Sequence, residues 1–69
     1  MDVIFSSDSL AEIRESRLKL QADVAEACGV SRSTYSRWET GETEPSATQL
    51  MALSVYLRRK VTAFFTVAA

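Results

Sequence analysis

The sequence predicts an all-α domain of five short helices around one small core, with termini able to form short strands. Three observations predict it. The chain has 69 residues, enough for a single domain spanning 1–69 and no more. It holds two Gly and one Pro, too few turn residues for a strand-rich fold. Its apolar residues recur three and four apart in short blocks, each bounded by a capping or breaking residue. The apolar fraction of 46% and charged fraction of 25% are those of a folded globular chain, which argues against disorder.

The first helix is expected from about Asp8 to Arg17. Ser9 with Glu12 offers a capping box, and Ser6 or Ser7 offers an equivalent cap. Leu10, Ile13 and Arg17 or Leu18 form its inward face. The second helix covers about Gln21 to Cys28, with Val24, Ala25 and Cys28 on one side. Gly29 ends it, because the residue after a helix commonly turns left-handed and only Gly does so without steric cost. Val30 fills the elbow. Ser31 caps the third helix, Arg32 to Thr40, which Gly41 stops. Tyr35 and Trp38, three apart, face the core. Residues 42–45 form a loop. Ser46 with Gln49 makes a capping box for the fourth helix, whose buried stripe is Leu50, Leu53 and Leu57. Val61, Phe64 and Phe65 predict a short fifth helix. The segment 1–7 and the tail 66–69 are read as extended, frayed or dimer-forming.

The net charge is −1, which is not a strongly basic total. Its distribution is more informative. Residues 1–26 carry six acids and three bases, whereas residues 27–38 carry Arg32 and Arg37 and no acid. Arg58, Arg59 and Lys60 form a second basic cluster. The outward positions of the third helix are Arg32, Ser33, Ser36 and Arg37, all basic or hydroxyl-bearing. A helix with that face suits a DNA major groove. Arg bonds guanine O6 and N7 in a bidentate manner, and Ser bonds base or phosphate.

Read in register, Gln21, Val24-Ala25, Gly29-Val30-Ser31, Tyr35-Ser36 and Trp38-Glu39-Thr40-Gly41 closely resemble the Cro and repressor-type (XRE) helix-turn-helix family. Pro45-Ser46, the stripe of the fourth helix and Arg14 extend the resemblance over residues 10–65. The resemblance implies that Arg32, Ser33 and Arg37 read base edges and that Ser36 joins the same face. It implies that Gln21 contacts a phosphate, with Ser31, Arg17 and Lys19 as further backbone contacts. It also implies a structural ion pair between Arg14 and Glu39. The sequence departs from the family pattern at four places, one of them the turn after the fourth helix, which lacks its usual small residue and carries Arg58-Arg59-Lys60. Leu20 stands where a capping Ser or Thr is usual. Lys19 stands where an aliphatic residue is common, so Leu18 or Leu20 is expected to replace it. Glu42 and Glu44 occupy a loop where bases are frequent.

The function expected on this resemblance is a sequence-specific regulator of transcription that binds double-stranded DNA. It is expected to be a homodimeric repressor on an inverted-repeat operator, with Phe5, Val61, Phe64 and Phe65 in the dimer contact. The alternative is a protein-interaction module, such as an antitoxin or adaptor, favoured by the acidic loop and the apolar ends. An enzyme is not expected, since the chain has no His, no metal-ligand spacing and no base to activate a Ser. No cofactor or metal is expected. The single Cys28 and the start Met1-Asp2-Val3-Ile4-Phe5, which lacks the basic region of a signal peptide, predict a cytoplasmic, nucleoid-associated location without membrane contact.

Overall fold

A computed structural model describes residues 2–68. The element order is β1 (Asp2–Phe5), α1 (Ser7–Ser16), α2 (Gln21–Ala27), α3 (Arg32–Thr40), α4 (Ala47–Leu57), a 3-10 turn (Val61–Phe64) and β2 (Phe65–Ala68). The core takes side chains from every helix and from the 3-10 turn. Leu10 and Ile13 come from α1, Val24 and Ala25 from α2, Tyr35 and Trp38 from α3, Leu53 and Leu57 from α4, and Phe64 from the turn. Leu50, Cys28 and Val30 pack at its margin. Cys28 is half-buried, and desolvation raises its thiol pKa, which makes it a packing group with little thiolate character.

The helix starts follow the hydroxyl caps with one exception. Ser6 accepts from the Ser9 backbone N–H at 3.1 Å, so α1 begins a residue earlier than expected and Ser9 is not its cap. Ser31 accepts from Thr34 N–H, and Ser46 forms a complete capping box with Gln49. The N-cap of α2 is Leu20, which gives no side-chain bond. Neither Leu18 (91% exposed) nor Leu20 (69% exposed) turns inward to replace the aliphatic residue absent at Lys19. Lys19 instead sets its ammonium over the Tyr56 ring, 5.2 Å from the centroid.

The fifth helix expected from the sequence is corrected to a 3-10 turn of four residues, so the described residues form four α-helices and a two-stranded ribbon. The physical reasons are local and topological. The turn opens on β-branched Val61 and Thr62, which lose rotamer freedom in a helix, and Lys60 supplies no capping bond. The Ser6 N–H also donates to Phe64 O at 2.8 Å. Phe65 then enters β2, antiparallel to β1 in the register Phe5↔Phe65, Ile4↔Thr66, Val3↔Val67 and Asp2↔Ala68. The expected extended ends are therefore a sheet over residues 2–5 and 65–68, while Met1 and Ala69 lie outside the described residues.

All four α-helices end in a left-handed residue whose successor bonds back to a carbonyl five residues earlier. Gly29 (φ 70°) and Gly41 (φ 84°) do this without strain, but Leu18 (φ 57°) and Arg58 (φ 56°) do it as ordinary L-residues. At α1 the bonds are Lys19 N–H to Arg14 O and Leu18 N–H to Glu15 O, the Schellman pattern. A non-Gly residue in that region costs roughly 1–2 kcal/mol. Leu18→Gly is therefore expected to raise stability by about 1 kcal/mol, or roughly 4–8 °C in Tm for a domain of this size. A thermal melt in which Leu18→Gly is no more stable than the wild type would show that no strain resides there.

Candidate nucleic-acid interface

The helix pair α2–α3 is built around Gly29. Val30 N–H bonds Ala25 O at 3.0 Å and Gly29 N–H bonds Glu26 O at 3.0 Å, so α2 closes in a Schellman turn and the chain re-enters α3 after two more residues. Ala25 is 1% exposed at this crossing, where a larger side chain would separate the helices. Tyr35 and Trp38 fix the inner side of α3, with ring centroids 5.6 Å apart in edge-to-face contact.

Glu39, at the end of α3, is the hub that joins three helices. Its side chain is 7% exposed and that of Arg14 is 16% exposed. Arg14 Nε donates to Oε2 at 2.6 Å and Nη2 to Oε1 at 3.1 Å. Gln21 Nε2 donates to Oε1 at 3.0 Å, and the Tyr35 hydroxyl donates to Oε2. These four bonds fill the acceptor capacity of a carboxylate. Arg14 Nη1 also donates to Lys19 O at 2.9 Å, which fastens the α1–α2 turn. Burial pushes the Glu39 carboxyl upward, but the bonds from Arg14, Tyr35 and Gln21 prevail and hold its pKa below the usual value. Tyr35 is shifted strongly upward, by burial first and then by its bond to Glu39.

The ion pair Arg14–Glu39 was legible in the sequence, whereas the participation of Tyr35 and Gln21 was not read there. The spacing of four between Tyr35 and Glu39 is the signal that places their side chains on adjoining turns. One Gln21 N–H is held by Glu39, which leaves its second N–H and its carbonyl available.

The outer side of α3 differs completely. Arg32, Ser33 and Arg37 are exposed and Ser36 is half-buried. Among the described residues no intramolecular hydrogen bond engages these four side chains. Arg14, Leu20, Gln21, Ala22 and Arg32 line a cleft of about 430 Å³ between the starts of α2 and α3. Ser31 is exposed, but its hydroxyl serves Thr34, accepting from N–H at 3.1 Å and donating to Oγ1 at 3.0 Å. Arg17 is turned to α4, with Nε 2.9 Å from Leu57 O and Nη2 3.0 Å from Arg58 O. Glu42, Thr43 and Glu44 are exposed just beyond the opposite end of α3.

Of the four residues expected at a dimer contact, Phe64 is fully buried in the monomer core, so its place there is corrected. Phe5 and Phe65 meet edge-to-face at 6.1 Å, half-buried against that core. Their face of the ribbon continues outward through Val3 (63% exposed) and Val67 (54% exposed). Val3, Val61, Phe65 and Val67 border an apolar cleft of about 400 Å³.

This geometry defines a helix-turn-helix domain. The helix-turn-helix family model matches residues 10–64, and the chain belongs to that family, in its Cro/repressor-type branch. The chain is similar to the P22 c2 repressor protein, whose crystal structure in complex with synthetic operator 9T in the presence of Tl+ superposes with a TM-score of 0.76. The identity is 31%, over 84% of this chain and 88% of that one. No curated protein sequence matches the chain. Among the described residues no helix is long and apolar enough to cross a membrane, and no group of His, Cys, Asp or Glu is arranged to hold a metal ion.

Proposed function

We propose that this chain is a sequence-specific regulator of transcription that binds double-stranded DNA and represses by occupying an operator. The observation that carries the reading is the outer face of α3, where, among the described residues, the side chains of Arg32, Ser33, Ser36 and Arg37 have no hydrogen-bond or ion-pair partner. A helix such as α3 (Arg32–Thr40) is about 10–12 Å across with its side chains, a fit for a major groove roughly 12 Å wide. The Glu39 network holds the opposite side of the same helix, so the reading groups sit on a rigid support. Gln21 is proposed to meet a phosphate with its free amide atoms, with Arg17, Lys19 and Ser31 as further candidate backbone contacts. The likeness to a repressor described in complex with an operator supports the same partner here.

The working unit is proposed to be a homodimer. A two-fold dimer places its recognition helices about 34 Å apart and demands an inverted repeat. The ribbon face of Val3, Val61, Phe65 and Val67 is the proposed contact, because an isolated two-stranded ribbon gains stability from further strands or a packed partner.

Selection of sites from a random duplex library, followed by sequencing, tests the proposal. Enrichment of half-sites about ten base pairs apart is the expected result. Recovery of no sequence at low salt, where electrostatic attraction is strongest, would reject it. On the selected site Arg37→Ala is expected to lose about 1–3 kcal/mol of binding with its melting curve intact. Equal affinity of the two proteins would remove Arg37 from the reading set. Exposed Glu42 and Glu44 favour the second reading, a protein-binding module. An empty DNA selection would turn attention to partners of that acidic end.

A further inference from the structure

Arg32 and Arg37 lie on the outer face of α3 and Arg14 is spent inside the Glu39 network. The remaining five of the chain's eight cations gather in one place. Arg17 and Lys19 come from the end of α1 and the turn after it, and Arg58, Arg59 and Lys60 from the end of α4. The two segments are tied by the bonds from Arg17 to Leu57 O and Arg58 O. Arg17, Lys19, Tyr56, Leu57 and Arg58 line a polar cleft of about 430 Å³.

Helix capping does not account for this concentration. Arg17 already satisfies the terminal carbonyls of Leu57 and Arg58. Ser54 O is taken by the backbone N–H groups of Arg58 and Arg59, and Ser54 Oγ donates to Arg59 O at 2.5 Å. The side-chain charges of Arg58, Arg59 and Lys60 are therefore surplus to the helix end, and all three residues are exposed.

The cluster also adjoins the interface. Lys19 is followed by Leu20, which lines the cleft shared by Gln21 and Arg32. The cleft of Arg17, Lys19 and Arg58 is thus joined to that of Gln21 and Arg32 by the consecutive residues Lys19 and Leu20. The acids Glu42 and Glu44 lie beyond the far end of α3.

We infer that Arg58, Arg59 and Lys60, held beside Arg17 and Lys19, form a second anchor for the DNA phosphate backbone, outside the segment that α3 reads. The inference rests on the DNA-binding reading above and adds to it backbone contacts beyond the bases that α3 reads. Phosphate suits the site because it needs charge and adaptable donors, which long exposed Arg and Lys side chains supply without sequence preference.

The test compares wild type with a combined Arg58→Gly, Arg59→Ala, Lys60→Ala variant. The Gly keeps the left-handed turn at 58. Arg59→Glu with Lys60→Glu, which leaves Arg58 in place, is a second variant that does not touch the turn. Binding is measured against salt on the selected site with long flanks and on the same site trimmed of flanks. Each neutralised phosphate contributes about 0.9 to the slope of log K against log salt. The expected result is a slope shallower by ~2–3 per bound protomer on the long duplex for the triple variant, and little difference between the proteins on the trimmed one. Unchanged slope and affinity on the long duplex, in both variants, would overturn the inference while leaving base reading by Arg37 in force. Unchanged slope together with lost binding to vesicles of anionic phospholipid would overturn it in favour of a membrane surface. A wild-type protein that binds no duplex at low salt would remove the DNA reading itself, and this extension with it.

Discussion

Arg14→Ala is expected to cost about 3–5 kcal/mol of stability, so that its melts are measured in the cold with a stabilising osmolyte. A core of this size rarely supplies more than ~3–5 kcal/mol in total. The effect comes from what is left behind. Glu39 is 7% exposed and would keep Gln21 and Tyr35 as donors but lose both guanidinium bonds and the opposing charge of Arg14. Lys19 O would lose its donor as well, loosening the α1–α2 turn that positions Gln21. The pH dependence carries a definite sign. The folded-state pKa of Glu39 lies below its ordinary value, so its contribution is fully present above the ordinary carboxylate range, near pH ~4.3. That contribution is lost as pH falls through the depressed value. In Arg14→Ala burial prevails, the carboxyl shifts upward, and the acid limb of the stability curve moves to higher pH. Denaturant melts of Arg14→Ala, Glu39→Ala and the double variant, taken from pH 3 to 7, check both parts. Because the pair acts as one unit, the double variant is expected to lose far less than the two single losses combined. Additive losses, with an acid limb identical to wild type, would show that the two groups act independently.

The helical part of this fold was legible because its signals are local. Ser31, Ser46, Gly29 and Gly41 each mark a boundary through their own chemistry, and the sequence places α3 at the residues the structure gives, Arg32–Thr40. Tyr35 and Trp38 were legible as core, since three-residue spacing puts both on one side of a helix. The left-handed turns at Leu18 and Arg58 were not, because neither residue advertises that conformation. Packing and capping bonds around them impose it, at Arg58 with help from Arg17, forty-one residues away in sequence. Pairing between opposite ends of the chain was equally hidden. Phe65 reads as helix beside Phe64 and Val61, and only the Phe5↔Phe65 register commits it to a strand. At the interface, residue types alone brought out Arg32, Ser33, Ser36 and Arg37. The internal commitments of Ser31 to Thr34, Arg17 to α4 and Gln21 to Glu39 depend on geometry between segments that sequence spacing does not encode.

Phe64 shows why that distinction matters for the dimer. Phe64→Ala is expected to lose about 3–5 kcal/mol, and the loss is expected to be the same at every protein concentration. The side chain is 0% exposed within a single chain, packed with Leu10, Leu53 and Leu57 among others. The backbone of Phe64 also ties the chain ends together, since its carbonyl receives the Ser6 N–H next to the cap of α1. Deleting the ring opens a cavity where α1, α4 and the 3-10 turn meet, and it removes the support under Phe5 and Phe65. A residue whose role lies in a dimer contact behaves differently, because association stabilises the folded state by mass action and makes Tm depend on concentration. Val67→Asp is the matching variant on the ribbon face. Val67 is 54% exposed, so a charge there costs a monomer little and removes whatever stabilisation pairing contributes. Melts of wild type, Phe64→Ala and Val67→Asp over a hundredfold range of concentration separate the two roles. The expected pattern is a concentration-dependent Tm in wild type and Phe64→Ala, at a much lower temperature in the latter, and a constant Tm in Val67→Asp. A Phe64→Ala protein as stable as wild type when dilute, and weaker only when concentrated, would return Phe64 to the dimer contact and take it out of the core.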